Sequence, residues 1–143
     1  MYVKNILARK GSDVVSISPK STMIELAKVL RENKIGAILA CETDGKMCGV
    51  VSERDLVIAI ARSGACILDN PVGDYMTTGV YTCTAEDTIK HVMEVMTSRR
   101  IRHLPVVGED GSIAGMISIG DVVKERMSET EAEAEALKAY IAT

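Results

Sequence analysis

Gly49-Val50-Val51-Ser52-Glu53-Arg54-Asp55 and Gly115-Met116-Ile117-Ser118-Ile119-Gly120-Asp121 are one phrase written twice, 66 residues apart. Both read G-x-x-S-x-x-D, follow an apolar run and open a helical pattern. A repeated strand-to-helix turn ending in a hydroxyl and a carboxylate predicts two related pockets for a ligand bearing a phosphate and a ribose. An internal repeat of this kind governs the whole fold.

Outward from that phrase, residues 14–57 slide onto 80–123 without a gap and share ten identities in 44 positions, where composition alone gives roughly three. Thr22/Thr88, Ile35/Ile101, Asp44/Asp110 and Gly45/Gly111 are among them, so turns, caps and core positions match together. Upstream, Val3-Lys4-Asn5-Ile6-Leu7 resembles Val72-Gly73-Asp74-Tyr75-Met76 at an offset of 69. The first copy therefore carries three extra residues around Ala8–Asp13, read as a longer loop.

Each copy reads β-α-β-β-α. Val14–Ile17 is a short β-like run closed by Ser18-Pro19. Thr22 and Glu25 form a capping-box pattern, and Met23, Leu26, Ala27 and Leu30 recur at helical spacing. Ile35–Cys41 and Met47–Val51 flank the hairpin signal Asp44-Gly45. Ser52 and Asp55 then cap a helix carrying Leu56, Val57 and Ile60. The second copy repeats this with Val80–Cys83, a helix from Asp87 to Ser98, Ile101–Val107, Asp110-Gly111, Ile113–Ile117 and a helix from Ser118. Pro105 marks its strand as an edge or as one with a free N–H side. Cys66–Gly73, centred on Asn70-Pro71, reads as the linker. Glu125–Thr143 extends the last helix, its glutamates as a solvated face, and Leu137, Tyr140 and Ile141 offer an apolar end.

Composition bounds the function. With 143 residues, 47% hydrophobic and 26% charged, two half-size copies are expected to share one core. The chain has no run long enough to span a bilayer and no signal-peptide pattern, which predicts a cytoplasmic protein. A net charge of −3 argues against a nucleic-acid surface. Cys41, Cys48, Cys66 and Cys83 lack metal-ligand spacing and are expected as reduced, buried thiols, with no metal. Trp and Phe are absent, so eight methionines help fill the core. No Ser/His/Asp or Cys/His constellation and no P-loop is present, so no catalytic residue is assigned.

The Val-x-x-Ile/Tyr-Met segments, the β-α-β-β-α unit, the D-G hairpin and the doubled G-x-x-S-x-x-D resemble cystathionine-β-synthase-type (CBS) domains, and the tandem resembles a Bateman module. The resemblance covers about residues 1–126, and places motif 1 at 1–68, motif 2 at 69–127 and an acidic helical tail at 128–143. It implies an α+β fold in which two pseudo-symmetric motifs form one disc-like pair, with small sheets face to face, helices outside and two clefts between the copies. Such modules bind AMP, ATP, NAD or S-adenosylmethionine and pair as homodimers.

The expected sites follow. A helix N-terminus attracts phosphate through its unpaired amides, and Ser52 or Ser118 can donate to it. Asp55 and Asp121 are acceptors suited to ribose hydroxyls, and would repel a 2′-phosphate, which disfavours NADP. Gly49 and Gly115 permit close backbone approach beside the ligand. The first site comprises Ser16, Ile17, Ile35, Gly36, Ala37, Ser52, Arg54 and Asp55. The second comprises Thr82, Cys83, Ile101, Arg102, His103, Pro105, Ser118, Gly120 and Asp121. Ile17 and Cys83 are candidates for an apolar wall against the base. The resemblance lets the Ile101–His103 backbone read the adenine edge, with Arg102 beside the phosphates of the second ligand and Arg54 beside those of the first. The expected function is a non-catalytic regulatory module that binds AMP, NAD or ATP and signals energy or redox state to an unknown partner. The alternatives are a structural dimerisation module with empty clefts, or an accessory subunit of a purine-metabolism enzyme.

Overall fold

The computed structural model describes residues 1–142. In chain order the elements are α1 (Val3–Lys10), β1 (Ser16–Ile17), α2 (Met23–Asn33), β2 (Ala37–Cys41), β3 (Met47–Ser52), α3 (Glu53–Ser63), α4 (Ile89–Arg99), β4 (His103–Val107), β5 (Ile113–Ser118) and α5 (Ile119–Ala142). Two short 3-10 turns, Ala65–Asp69 and Val72–Asp74, lie between α3 and α4. Helices and small sheets of three and two strands make the fold α+β.

The chain forms two compact units, and their boundaries are not those of the sequence repeat. One unit is Asp13–Tyr81 with Glu109–Ile113; the other joins Met1–Ser12 to Thr82–Gly108 and to the chain from Ala114 onward. The N-terminal helix α1 therefore belongs with the second copy of the repeat, and the Val72–Asp74 turn belongs with the first.

In the Asp13–Tyr81 unit, β1 runs parallel to β2, and β2 antiparallel to β3. The β2–β3 register sets Ala37 opposite Ser52 and Ala40 opposite Gly49. Thr22 caps α2 by accepting from the Glu25 amide, and the Glu25 carboxylate accepts from the Thr22 amide, an arrangement worth about 1 kcal/mol. Met23, Leu26 and Leu30 from α2 join Ile17, Ile38, Ala40 and Val51 in the core. Gly45 turns the hairpin at φ +83°, where a side chain would be strained.

The segment read as a linker is core. Ile67 is 1% exposed and Val72 is fully buried. The Asn70 carbonyl accepts from Met23 N–H, Val72 N–H donates to Ser21, and Gly73 N–H donates to Pro19. Proline and asparagine here shape a packed return of the chain rather than a tether. The α3 residues Val57, Ile58 and Ile60, by contrast, are exposed, and of α3 only Ala59 is buried.

In the other unit, Val3 and Ile6 from α1 pack with Ile89, Val92 and Met96 from α4 and with Leu104, Val106, Ile117 and Val122. The expected Val80–Cys83 strand shrinks to one parallel bridge, Cys83 to Val106. Cys83 N–H donates to the Pro105 carbonyl and Val107 N–H to Cys83. Pairing Thr82 with Pro105, as Ser16 pairs with Leu39, would need a proline N–H, which does not exist. The α4 helix begins at Ile89, with Thr88 rather than Asp87 beside it as the cap. The three extra residues lengthen α1 to Lys10, and only the remainder forms a loop. On α5, Glu125 is 2% exposed and Glu129 is partly buried, while Leu137 and Ile141 are exposed; the acidic stretch is not one uniformly solvated face.

Candidate functional site

Each repeated Ser-x-x-Asp sits where a strand hands over to a helix, and each set of predicted site residues falls within one unit. In the Asp13–Tyr81 unit, Ser52 is both the last residue of β3 and the N-cap of α3. Its Oγ accepts from the Asp55 amide at 3.3 Å, while Asp55 Oδ2 accepts from the Ser52 amide at 2.8 Å and from its hydroxyl at 3.1 Å. The Glu53 amide donates to the Gly36 carbonyl at 3.0 Å. Gly36, Ala37, Ser52 and Asp55 are thus drawn together by the β2–β3 register.

The same construction stands at the start of α5. The Asp121 amide donates to Ser118 Oγ at 3.1 Å, the Ser118 amide to Asp121 Oδ2 at 2.9 Å, and the Ile119 amide to the Arg102 carbonyl at 2.8 Å. Both signatures are therefore helix caps in full. Their mouths hold fewer vacant donors than the sequence reading assumed, since the first and third helical amides are already bonded. Within the described residues no hydrogen bond reaches Oδ1 of Asp55 or of Asp121. One acceptor oxygen per mouth is thus available for an outside donor such as a sugar hydroxyl.

The remaining predicted residues divide. Arg54 and Gly120 are exposed on the first turns of α3 and α5, and Arg102 is exposed beside its bonded carbonyl. Ile35 and Ile101, each just ahead of its strand, are half-buried. Ile17 and Cys83 are buried members of the two cores, and burial, with the Asp87 charge, pushes the Cys83 thiol up to about 12. Ser16 and Thr82 are exposed, and Pro105 is buried in β4. Ser16 and Ile17 pair with Leu39 and Ala40, two and three residues along β2 from Ala37, roughly 7–10 Å from the Ser52 end of the sheet. The expectation of four buried thiols holds only for Cys83: Cys66 is exposed, and Cys41 and Cys48 are half-buried.

Gly49 and Gly115 serve a purpose other than the one expected. A Cβ on Gly49 would meet Met76 Sδ and the Thr77 carbonyl at 2.8 Å; one on Gly115 would meet a Leu7 methyl at 2.6 Å. Leu7 and Met76 are the residues matched at offset 69. Each glycine admits a packed segment of its own unit onto the sheet: the Met76–Thr77 stretch over Gly49 and Leu7 of α1 over Gly115.

The two mouths differ in one respect that sequence reading missed. Lys10 Nζ lies 2.7 Å from Asp121 Oδ2 and donates to the Met116 carbonyl at 3.0 Å. In the other unit the matching carbonyl, Val50, accepts from the Thr77 amide at 2.8 Å instead. The extra residues let α1 continue as a helix, and an ammonium takes the place of a backbone donor. Arg9 pairs with buried Glu125, and the Met1 amine lies 2.6 Å from Glu129. Asp121, Glu125 and Glu129 fall at four-residue steps on one face of α5, with α1 running antiparallel along them. That spacing, with Arg9-Lys10 inside the extra residues, was the available signal.

Burial raises the Asp121 carboxyl, but hydrogen bonds from Lys10 and Ser118 outweigh it and leave it below the ordinary value. Burial lowers His103, with Lys10 adding to the effect and Asp121 opposing it, so the imidazole favours its neutral form. Ile6, Arg9, Lys10, Asp121 and Lys124 line a recess of about 150 Å³. In the other unit a recess of about 480 Å³ lies between α2 and α3, lined by Arg31, Lys34, Ile35, Gly36 and Glu53 among others. It touches the predicted site only through Ile35 and Gly36. Among the described residues no cluster of His, Cys, Asp or Glu could hold a metal ion, and no helix is long and apolar enough to cross a membrane.

With both mouths described, comparison with known proteins is decisive for the family. The CBS domain family model matches residues 3–62 and again 72–128. The chain belongs to the CBS domain family. A crystallised CBS-domain containing protein from Agrobacterium tumefaciens is 46% identical, with a TM-score of 0.84 over 88% of this chain and 99% of that one. A mitochondrial CBS domain-containing protein of Arabidopsis thaliana is 35% identical over 84% of this chain and 60% of its own length. A CBS domain protein from Pyrobaculum aerophilum, crystallised in complex with AMP, is 28% identical, with a TM-score of 0.76 over 85% of this chain and 89% of that one. The chain spans 57–66% of the length of the first curated relatives it matches. Two CBS motifs follow one another in the chain, as the doubled signature implied.

Proposed function

We propose that this CBS pair is a non-catalytic regulatory module that binds an adenine nucleotide, AMP foremost and NAD or ATP as alternatives, and reports energy or redox state to a partner protein in the cytoplasm. The observation that carries this reading is the twinned Ser-x-x-Asp mouth: at the head of both α3 and α5 a carboxylate keeps one oxygen in the cap and one oxygen open. A diol suits that oxygen, and the phosphate of the same ligand suits the positive end of the helix dipole. The AMP complex of the Pyrobaculum relative supports the ligand class.

Exposed Val57, Ile58 and Ile60 on α3, and Val123 and Met127 on α5, support a second copy of the chain as the partner of these faces, since apolar helix faces on a small protein mark contact surfaces. Light scattering behind size exclusion reads this: twice the chain mass supports the homodimer, and a monomer at every concentration removes it.

Thermal shift tests the binding. AMP at a hundred times its Kd stabilises a one-site protein by about 2.7 kcal/mol, and the gain should vanish in the double variant Asp55→Ala/Asp121→Ala. NADP should stabilise less than NAD, because the carboxylates repel a 2′-phosphate. Silence across AMP, NAD and ATP would contradict the reading and favour a purely structural module.

A further inference from the structure

We infer that the two nucleotide mouths are unequal by construction, and that Lys10, bonded to the cap oxygen of Asp121, is the residue that weakens the α5 mouth. The inference rests on the nucleotide-binding reading above and adds which mouth fills, and why. Three observations carry it. Asp121 is engaged by the Lys10 ammonium at 2.7 Å, whereas every hydrogen bond of Asp55 stays within its own Ser52 cap. Lys10 is itself anchored, since its second hydrogen bond, to Met116, fills the position that Thr77 occupies in the other unit. Lys10 is the last residue of α1 and lies among the residues by which the first copy exceeds the second.

The chemistry has a direction. A ribose hydroxyl must donate to a carboxylate that already accepts a charged donor, and charge-assisted bonds are the stronger ones. The neighbouring Arg9–Glu125 pair keeps α1 alongside α5 and Lys10 within reach of Asp121. A ribose that puts its two hydroxyls on the two oxygens of Asp121 therefore competes with Lys10 for Oδ2, and its apparent affinity falls by the fraction of molecules in which Lys10 has let go. Among the described residues no lysine or arginine is bonded to Asp55. The α3 mouth is the high-affinity site, and the α5 mouth takes both ribose hydroxyls only when Lys10 is displaced.

Isothermal titration with AMP tests this on the full chain and on Lys10→Met, Lys10→Gln, Lys10→Arg and Asp55→Ala, each checked for native circular dichroism. Two neutral variants are used so that misfolding of one leaves the other readable. The wild type should show one tight binding event per chain, lost in Asp55→Ala. Either neutral variant should gain a second event at least about tenfold tighter than in the wild type, and Lys10→Arg should behave as wild type. Two equal events in the wild type, or a second event unchanged or weakened without Lys10, would overturn the inference while leaving nucleotide binding intact. No AMP binding by any folded variant would instead remove the nucleotide-binding reading, and this inference with it.

Discussion

Asp55 and Asp121 occupy matching positions, yet their neighbours give them different electrostatic duties. Asp121 answers to Lys10 as well as to its cap, and its carboxyl lies below the ordinary value. A carboxyl lowered on folding contributes stability above its unfolded pKa and loses it as pH falls through the folded value. Asp121→Asn should therefore lower stability by about 1 kcal/mol near pH 7, with the gap narrowing towards about pH 2 as the folded carboxyl takes its proton. Urea unfolding at the two pH values measures it; an equal gap at both would show that charge is irrelevant at this position. The Ser and Asp of each mouth were legible because a cap is local, written within four residues. Lys10 was harder to read, because its partner lies 111 residues away and only the four-residue spacing of acids on α5, set against Arg9-Lys10, hints at the contact.

Among the elements, the repeated glycines show how far a motif can be read. Their recurrence was visible, but their reason lies in side chains from another part of the sequence, Met76 over Gly49 and Leu7 over Gly115. Gly49→Ala would press a methyl against the Thr77 backbone carbonyl as well as Met76, and overpacking of this kind costs about 1–3 kcal/mol. Gly115→Ala meets only the end of a leucine, which can rotate aside, so it should cost clearly less. Chemical denaturation of both variants decides this, and equal losses would refute the packing account. The helices, hairpins and capping boxes were legible from periodicity and turn chemistry. The Cys66–Gly73 segment misled because Asn-Pro and glycine resemble a tether, whereas burial of Ile67 and Val72 depends on contacts that composition does not encode. Ile67→Ala should cost about 2–5 kcal/mol; a loss below about 1 kcal/mol would restore the linker reading.

At the scale of the molecule, one duplicated sequence gives two compact units that exchange their leading segments: α1 joins the copy it does not precede. The offset-69 match showed that the leading segments are equivalent, but equivalence does not reveal which body each one completes. That exchange also makes the mouths unequal, since the longer leading segment carries Arg9 and Lys10 to α5 and the shorter one brings only the Thr77 backbone to β3. Regulation by such a module requires a ligand that prefers one arrangement of the protein, and the response can be no larger than that preference. The central claim is that a nucleotide is held by the Ser52–Asp55 mouth of α3. A crystal structure of the protein grown with AMP tests it most directly. The account predicts the ribose hydroxyls on the Asp55 carboxylate and the phosphate at the Ser52 end of the helix; AMP bound with neither residue in contact, or no AMP at saturating concentration, would contradict it.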